Sequence, residues 1–390
     1  MKTCRCIYDQ TAGISLFRRL ASIIVLILGF SLTSFSSDAQ FKSVSIDKPF
    51  FNPTLGETIR INFEVDAPGL LSAQILDRDG FVVRNLISSQ KVENGKQELI
   101  WNGRDDKSVT VADEAYSLHL ELTSNGKSYT YFPAESEGEE LKAEAGYYDR
   151  QNKVFSLKLP KAARVHIQAG SAVMDPKTKK AMGPVLRTLC NRSPRIAGSL
   201  VEQWSGYSEG ESSIYIPELP NFVMSTAATA LPEPAIISIG NKEVTFWDYI
   251  AKREGTSLLK PPSGEHHHHR GLRTLDDVSP AMTLEPLNSE WSPKEKAWIV
   301  DGDTVEVSGR LTGPSAPYFI KQPGAIYVFI NEKMVKKISG LNETFRVQVP
   351  LTDLSDGLQY IAVNAGSEWG PASANAFRFM KKGKESAKKE

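Results

Sequence analysis

The sequence is poor in cysteine and has no surplus of either charge. It contains three cysteines in 390 residues, and two of them, Cys4 and Cys6, lie in the N-terminal segment. Once that segment is removed, Cys190 has no partner, which excludes an internal disulfide and predicts a small buried side chain. Lys plus Arg and Asp plus Glu each total 46. Because this balance creates no global field, we expect no nucleic-acid partner.

The motifs of the common enzyme classes are also missing. The chain has no G-x-S-x-G, no Gly-rich phosphate loop, no C-x-x-C-H for attached haem and no H-E-x-x-H. Paired carboxylates occur as Glu139-Glu140 and Asp276-Asp277, but they lie in polar stretches without the apolar surroundings that raise a pKa. We therefore predict a protein that is not an enzyme and has no resident cofactor.

Long apolar runs are confined to the N terminus. The run LASIIVLILGFSL follows Arg18 and Arg19, and SSDAQ places Ser37 and Ala39 at the −3 and −1 positions of a cut before Gln40. The run is short for a helix that spans a membrane. We predict that residues 1–39 are a signal peptide and that the exported chain has no membrane span after cleavage.

The chain is rich in turn residues and in alternating segments. It has 28 glycines and 22 prolines. TIRINFEV (58–65) and KVFSLKLP (153–160) alternate apolar and polar residues with the period of a half-buried β-strand. These patterns predict an all-β, turn-rich protein, and its length predicts more than one domain.

An internal repeat relates two of these regions. VVRNLISSQKVENGKQELIWNGRDD (82–106) aligns without a gap on VLRTLCNRSPRIAGSLVEQWSGYSE (185–209), at a constant offset of 103. The second copy also inserts SAVMDPKTKKAM (171–182), which we place in a hairpin loop. The identities at this offset indicate a repeated structural unit, and they are Val82 with Val185, Arg84 with Arg187, Leu86 with Leu189, Gly95 with Gly198, Trp101 with Trp204 and Gly103 with Gly206.

The repeated Trp and Gly residues predict a structural corner. In QELIWNGRDD, Trp101 ends a strand and Gly103 lies in a tight turn, so both are expected to serve packing. Trp204 and Gly206 have the same role in the second copy. The aspartates that follow, Asp105 and Asp106, are predicted to form a solvated turn. They become Ser208 and Glu209 in the second copy, which argues against a cation-binding loop.

The first copy resembles a known family. FNPTLGETIRINFEV, ILDRDGFVVRNL, NGKQELIWNGRDD and VADEAYSLHLEL are similar to the FlgD-type immunoglobulin-like domain, named after the flagellar hook-capping protein and present on many exported bacterial proteins. The resemblance covers Phe51 to about Leu122 and, more weakly, about 147–240. It departs from the pattern at Lys107, Ser108 and Ala115. It implies immunoglobulin-like β-sandwiches that serve structure or assembly, without catalytic residues.

A third module is predicted near the C terminus. DTVEVSGRL, AIYVFINEKMVKKI, TFRVQVPL and DGLQYIAVNA alternate, with a hairpin turn at Asn331-Glu332. They resemble the small immunoglobulin-like modules of exported bacterial proteins. The predicted organisation is therefore an all-β array of tandem immunoglobulin-like or fibronectin-III-like sandwiches in series, with domains at 40–125, 145–243 and 297–379 and a basic disordered tail at 380–390.

Residues 244–296 are predicted to be a short helix followed by a long irregular linker rich in Pro and His. Thr245 and Asp248 form a capping box for the helix, whose apolar stripe faces either the core or a partner. A loop of this length is usually functional or flexible. We predict protein-partner contacts at Trp247, Tyr249 and Trp291.

Histidines and one acidic turn are the remaining candidates for binding. His266, His267, His268 and His269 could supply ligands to Zn, Cu or Ni or contact a haem; the alternatives are a polar loop and an expression-tag remnant. His119 and His166 lie on polar strand faces and are expected to be exposed. DRDG (77–80) resembles a fragment of a calcium loop but is better explained as a β-turn.

Three functions from different classes follow from this sequence. The first is a non-catalytic structural or accessory protein that docks onto a partner protein in the periplasm, on the outer-membrane surface or outside the cell. The second is a metal or redox accessory that uses the four histidines. The third is a carbohydrate-binding accessory, which requires exposed aromatic side chains in a groove, with Trp247, Trp291 and Trp298 as candidates.

Overall fold

The computed structural model describes residues 41–135, 139–141, 146–174, 176, 181–209, 212–259, 280–367 and 370–382. The predicted signal peptide lies outside the described residues, as does position 40. Within these ranges no helix is long and apolar enough to cross a membrane. The regular structure is almost entirely β, which confirms the predicted class.

The first sandwich is built from nine strands. Eight lie in the first part of the chain, and the ninth comes from a segment more than a hundred residues later. The chain order is β1 Phe41–Ile46, β2 Phe50–Phe51, β3 Ile59–Val65, β4 Gly69–Leu76, β5 Val82–Val92, β6 Gly95–Trp101, β7 Ala115–Ser124, β8 Lys127–Tyr131 and, far along the chain, β18 Ile236–Ser238. One sheet has the order β1-β3-β6; the other has β2-β18-β7-β4-β5, with β8 paired to β7. The alternating residues Ile59, Ile61, Phe63 and Val65 fill the space between them.

Strand β18 corrects the predicted boundary of the second domain at 243. Ile236 pairs antiparallel with Tyr116, and the strand also pairs in parallel with β2. Ile236 and Ile237 are both buried. Consecutive residues of a strand point to opposite faces, so Ile236 packs in the core of the first sandwich and Ile237 packs in a smaller cluster on the other face of the sheet. Together with β8, β18 extends the first sandwich beyond the predicted 40–125.

The second sandwich follows the same plan. Its strands are β9 Glu140–Leu141, β10 Tyr147–Asp149, β11 Val154–Leu159, β12 Ala163–Ser171, β13 Val173–Met174, β14 Ala181–Met182, β15 Val185–Arg195, β16 Gly198–Gln203 and β17 Phe222–Ala230. The sheets have the orders β10-β11-β16 and β15-β12-β17-β9. The inserted segment forms the antiparallel pair β13-β14, so the predicted hairpin is confirmed.

The third sandwich begins earlier and ends later than predicted. Its strands are β19 Ala281–Leu287, β20 Glu290–Ser292, β21 Ala297–Asp301, β22 Thr304–Thr312, β23 Gly324–Ile330, β24 Lys333–Ser339, β25 Thr344–Pro350, β26 Gly357–Ser367 and β27 Gly370–Lys382. One sheet has the order β19-β22-β25 and the other β20-β21-β27-β26-β23-β24. The turn at Asn331-Glu332 joins β23 to β24 as predicted.

The third sandwich extends beyond the predicted boundaries, 297 and 379, at both of its ends. Residues 281–292 were assigned to the linker, but β19 pairs with β22 along seven residues. Lys381 was assigned to the disordered tail, but it is buried in β27 and its Nζ donates to the carbonyl oxygens of Leu351 at 2.8 Å and Leu354 at 2.6 Å. A buried ammonium group needs such acceptors. Residues 383–390 lie outside the described part of the chain.

The second and third sandwiches share one core. Phe329, Tyr360 and Ala362 of the third sandwich belong to the buried cluster of the second. Asn364 reaches across, accepting from the Val185 amide at 2.9 Å and donating to its carbonyl oxygen at 2.7 Å. The side-chain amide of Asn364 thus satisfies both backbone hydrogen-bonding groups of Val185, the first residue of β15, as a neighbouring strand would. The sandwiches are consecutive in sequence but packed into one unit in space.

Two short α-helices occur in the part of the chain that the structure describes. They are α1 Phe246–Ile250 and α2 Ala316–Phe319. The capping box predicted for α1 is present: Thr245 Oγ1 accepts from the Asp248 amide at 3.1 Å, and Asp248 Oδ2 accepts from the Thr245 amide at 3.0 Å. The helix is only five residues long, so its position depends on packing against its neighbours rather than on its own stability.

Candidate functional site

The two predicted corners have the same geometry. In the first copy Trp101 is 1% exposed, packs on Phe51 and Tyr116, and donates from Nε1 to the carbonyl oxygen of Arg104 at 2.9 Å. Gly103 follows with φ +68°, and a Cβ there would lie 2.4 Å from Pro53 Cβ. Glycine is required here by conformation and by space.

In the second copy Trp204 donates from Nε1 to the carbonyl oxygen of Tyr207, also at 2.9 Å and also three residues on. Gly206 has φ +90°, and a Cβ would lie 2.4 Å from a ring carbon of Tyr215. These four residues are parts of the frame rather than of a ligand site.

The acidic turn is exposed at Asp106, as predicted, but its side chains also have a structural role. Asp105 Oδ1 accepts from the Val109 amide at 2.8 Å, and in the second copy Ser208 Oγ accepts from the Ile214 amide at 2.9 Å. Both side chains therefore satisfy a backbone donor of the loop that follows the corner. Any hydrogen-bond acceptor of the right reach serves this purpose, which explains why the residue type differs.

The second copy also keeps a carboxylate at the second acidic position of the turn, where Glu209 corresponds to Asp106. Asp106 lies 3.7 Å from the Arg84 guanidinium, and Glu209 pairs with Arg187. Each pair joins equivalent positions in the two copies. The acidic run thus holds the corner against the neighbouring strand.

The DRDG turn fastens the segment after α1 to the first sandwich. Gly80 donates to the carbonyl oxygen of Asp77 at 3.0 Å, as expected for a β-turn. Arg253 Nη1 donates to Asp77 Oδ2 at 2.9 Å and to Asp79 Oδ2 at 2.7 Å, and its guanidinium lies over the Phe81 ring. Burial, with the Asp79 charge beside it, raises the pKa of Asp77 to about 6. These carboxylates hold an arginine of the same chain.

The predicted partner-contact residues make contacts within the chain. Trp247 packs on Tyr318 of the third sandwich, with ring centroids 5.3 Å apart, and Tyr249 packs against the core of the first. Trp291 packs edge-on against Trp298 at 5.6 Å. Each of these side chains is half-buried. Helix α1 therefore bridges the first and third sandwiches.

Three charged side chains lock the first sandwich to the second. Glu114 is 3% exposed and accepts from Arg164 Nη2 of the second sandwich at 2.5 Å and from Arg78 Nη1 at 3.2 Å. Arg78 also lies 4.1 Å from the Phe246 ring centroid of α1. Arg164 Nη1 donates further to the carbonyl oxygen of Arg192 at 3.1 Å. Buried charges persist only when paired in this way, so these contacts fix how the two sandwiches meet.

A cleft of about 620 Å³ opens beside this triad, and all three sandwiches and α1 form its walls. We call it the junction cleft. Sequence reasoning did not identify it, because its residues come from seven separate segments of the chain. Two of its lining side chains are carboxylates, Asp113 and Glu114, and five are cationic: Arg78, Arg164, Arg192, Arg195 and Lys242.

The two histidines expected to be exposed are not. His119 is half-buried, lies 3.1 Å from Gln74 through Nδ1 and packs against Phe132. His166 has its Nδ1 atom buried, and burial with the nearby Arg192 charge lowers its pKa to about 4. His119 lies on β7, and the ring of Phe132 covers it there. Cys190 is buried, as predicted, and burial raises its pKa.

The outer face of the second sandwich carries an exposed apolar row. Tyr147 pairs with Ser156, and Ser156 pairs with Val201, so these three side chains share one face of the sheet β10-β11-β16. Tyr147 is 68% exposed and Val201 is 56% exposed. We call this set the outer row.

The first sandwich has a polar row at the corresponding place. Asn62 pairs with both Ser45 and Glu98 across the sheet β1-β3-β6. Glu98 is further held by Arg60, whose Nη1 lies 2.9 Å from each carboxylate oxygen. At the repeat offset of 103, Glu98 of the first copy corresponds to Val201 of the second. The first copy therefore has a carboxylate paired with Arg60 where the second copy has an exposed valine.

The four histidines predicted to bind metal, His266–His269, lie outside the described residues. Among the residues that the structure describes, no group of three or more His, Cys, Asp or Glu side chains is arranged to hold a metal ion. The described part of the chain therefore provides no test of the predicted Zn, Cu or haem contact.

Comparison with solved structures returned immunoglobulin-like and related β-sandwich proteins. The chain is similar to FlgD from Pseudomonas aeruginosa, at 18% identity over 23% of this chain and 71% of that one, with a TM-score of 0.20. It is also similar to the CARDB domain of a Pyrococcus furiosus protein in complex with di-metal ions, at 17% identity over 27% and 90%, TM-score 0.19. A tetra-tandem repeat from a large adhesion protein matches at 11% identity over 87% and 72%, TM-score 0.17.

These similarities are too low to carry a functional argument. No protein-family profile matches the sequence, and no curated protein matches it. The sheets and their order, rather than the comparisons, establish the three sandwiches described above.

Proposed function

We propose that this chain is an exported, non-catalytic docking protein of bacteria, which presents the outer face of its second sandwich to a protein partner outside the cytoplasm. The outer row carries this proposal. Tyr147 and Val201 are exposed on either side of Ser156, at a place where the first sandwich carries a neutralised charge. Tyrosine and apolar residues without charge are characteristic of the centre of protein interfaces.

The rigid assembly of the three sandwiches supports the same function. The core shared by the second and third sandwiches and the triad of Arg78, Glu114 and Arg164 fix the direction in which the outer row faces. A rigid surface loses little conformational freedom when it binds, so a modest apolar row can contribute to affinity. Export rests on the sequence of residues 1–39, and N-terminal sequencing of the mature protein is expected to begin at Gln40.

Site-specific cross-linking in the producing cells tests the docking surface. A photo-reactive amino acid is introduced in place of Tyr147, Ser156 or Val201, and in place of Ser45, Asn62 or Glu98 as matched sites on the first sandwich. We expect the same stoichiometric partner from the three sites of the outer row and none from the matched sites. Equal capture from both sets would contradict a dedicated face.

A pair of matched substitutions then tests whether the row contributes to binding. Val201→Glu and Ile100→Glu each place a carboxylate on an exposed apolar side chain, 56% and 54% exposed respectively. We expect Val201→Glu to reduce co-isolation of the partner about tenfold or more, since a charge at an interface centre must be desolvated. Ile100→Glu is expected to leave it unchanged. If both variants bind alike, the outer row is not the docking surface.

A further inference from the structure

The edge strand β24 of the third sandwich carries a cluster of lysines without countercharges. β24 is the last strand of the sheet β20-β21-β27-β26-β23-β24. Lys333, Lys336 and Lys337 are all exposed, and in the part of the chain that the structure describes none of them forms an ion pair. Lys337 lies over the Tyr327 ring, 5.5 Å from its centroid. Because basic and acidic residues are equal in number over the whole chain, this surplus is a property of the edge rather than of the composition.

The carboxylates that flank β24 in sequence are engaged by other residues. Glu332, in the turn before the strand, accepts from Ser171 Oγ of the second sandwich at 2.8 Å. Glu343, after the strand, pairs with Arg310 at 2.7 Å. Neither carboxylate forms an ion pair with a lysine of β24, so these lysines remain available to a partner.

A β-bulge places two of the lysines on one face of the strand. Lys333 pairs with Ile330 and Lys336 pairs with Val328, because the register shifts by one residue between them. Ile330 and Val328 are two residues apart on β23, so their side chains share a face of the sheet, as do those of their partners. Without the shift, residues three apart would point to opposite faces. Lys333 and Lys336 therefore have the spacing of alternate residues in a regular strand.

The backbone of β24 also has polar groups that point away from the sheet. Gly340 donates to the carbonyl oxygen of Gly324 at 2.8 Å. In an antiparallel pair, residues alternate between those bonded to the neighbouring strand and those that point away from it. Lys337 and Ser339 therefore direct their N–H and C=O groups outward. Ile338 between them is half-buried and packs against the core of the third sandwich, so a strand added at this edge would also cover an apolar side chain.

The lysines make this edge selective. Natural sheets place lysine on exposed edges, where it opposes pairing with other strands. Like charges directly opposite each other destabilise a strand pair, whereas opposite charges stabilise it. The edge is therefore unfavourable for a basic strand and favourable for one with a carboxylate at every second residue, facing Lys333 and Lys336. Such a combination of repulsion and attraction is a common basis of specificity.

We propose that β24 is a docking site for an acidic extended segment of a partner protein, which adds to the sheet as a further strand. In this mode of recognition main-chain hydrogen bonds give affinity and alternate side chains give specificity. Carboxylates at alternate positions of the segment pair with Lys333 and Lys336. The outer row lies on the second sandwich and takes no part in this site, so either surface can fail without the other.

Fluorescence anisotropy with three capped octapeptides tests this site on the mature full-length chain. The probes are an alternating Thr-Glu peptide, its Thr-Lys counterpart, and the Thr-Glu peptide with every backbone amide N-methylated, which keeps the charge but donates no backbone hydrogen bond. We expect the unmodified Thr-Glu peptide to bind at millimolar concentration, about tenfold or more tightly than the other two, with affinity that falls as salt rises. Equal binding of the N-methylated peptide would overturn strand addition, as would absence of binding by the unmodified one.

Vesicles of phosphatidylglycerol are the probe for a lipid surface, which also attracts clustered lysines. We expect the chain not to bind these vesicles through β24. Binding of the vesicles without binding of the Thr-Glu peptide would assign the lysines to a membrane and overturn the proposal.

Two matched double substitutions test whether the lysines contribute. Lys333→Gln with Lys336→Gln removes both charges that face the added strand, and Lys91→Gln with Lys127→Gln changes the net charge equally on the first sandwich. All four side chains are exposed, so neither variant is expected to destabilise the fold. We expect the β24 variant to bind the Thr-Glu peptide about three- to tenfold more weakly, the effect of losing two exposed ion pairs, and the control to bind as the parent does. Equal affinities of the two variants would overturn the assignment.

Discussion

The first and second sandwiches have the same frame but different surfaces. Both keep a Trp and a Gly with positive φ at the corner, and both keep an ion pair between equivalent positions, Arg84 with Asp106 and Arg187 with Glu209. They differ on the outer face. Positions that need one large ring, or that leave no space for a Cβ, are constant, whereas positions that need only an acceptor vary in type. The outer face, where the carboxylate of Glu98 in the first copy is replaced by the exposed Val201 in the second, carries the proposed docking surface.

The largest effect is expected from removing the corner tryptophans. Trp101→Ala leaves a cavity beneath Phe51 and Tyr116 and should lower the free energy of unfolding by about 3–5 kcal/mol. Trp204 is more exposed, at 5% against 1%, so Trp204→Ala should cost less. Chemical denaturation of both variants measures the difference. A larger loss for Trp204→Ala would show that the two corners are not equivalent in packing.

A slightly smaller effect is expected at the contact between the two sandwiches. Glu114→Gln leaves the buried guanidinium groups of Arg78 and Arg164 without their countercharge and should cost about 3 kcal/mol. Glu98→Gln removes the partner of Arg60 on an exposed face and should cost less than about 1 kcal/mol. The same denaturation experiment compares them. Equal losses would mean that the triad does not hold the sandwiches together.

Acidification is expected to change the contributions of His166 and Asp77 to the unfolding free energy in opposite directions. The folded-state pKa of His166 is about 4, below its ordinary value of 6.5, so the native state binds fewer protons between these values and stability falls as pH falls through that window. Asp77 in the first sandwich has a pKa raised from 3.8 to about 6, so its contribution rises as pH falls from 6 toward 3.8. The two groups oppose each other on acidification.

Substitution of His166 should reveal this opposition. When the pH falls from 7 to 5, the parent protein should lose about 2 kcal/mol of unfolding free energy through protonation of His166 in the unfolded state. His166→Gln lacks this group, so its unfolding free energy should fall by about 2 kcal/mol less than that of the parent. His119→Gln is the comparison: burial also lowers the pKa of His119, so this variant should change in the same direction but less than His166→Gln. Denaturation curves at both pH values give the difference, and parallel changes in all three proteins would show that His166 does not titrate in this range.

The frame could be predicted from sequence because its determinants are local. Period-two alternation marked the strands of β3, β11 and β25, and the offset of 103 marked both corners. The place of strand β18 in the first sandwich was missed because its partners, Phe50 and Tyr116, are more than a hundred residues away. The partial burial of His119 was missed because alternation describes one sheet, whereas the ring that covers His119, Phe132, lies outside its strand. The junction cleft was missed for the same reason, since no single segment contains it.

The smallest effect is expected from exchanging the loop acceptors of the two corners. Asp105 and Ser208 each accept one backbone N–H, from Val109 at 2.8 Å and from Ile214 at 2.9 Å. If an acceptor is all that the position requires, Asp105→Ser and Ser208→Asp should each change the unfolding free energy by less than about 1 kcal/mol, whereas Asp105→Ala and Ser208→Ala should each cost about 1–2 kcal/mol.

Denaturation midpoints of these four variants measure that contrast. Asp105 is near the surface, and Ser208 is 6% exposed, so Ser208→Asp is the more demanding exchange because it partly buries a new charge. The Arg187 guanidinium, which extends from β15 and pairs with the neighbouring Glu209, can offset that cost. A loss for Ser208→Asp as large as that for Ser208→Ala would show that the second loop requires a neutral acceptor. The exchange would then be possible in one direction only, and the equivalence of the two corners would be limited to their backbone.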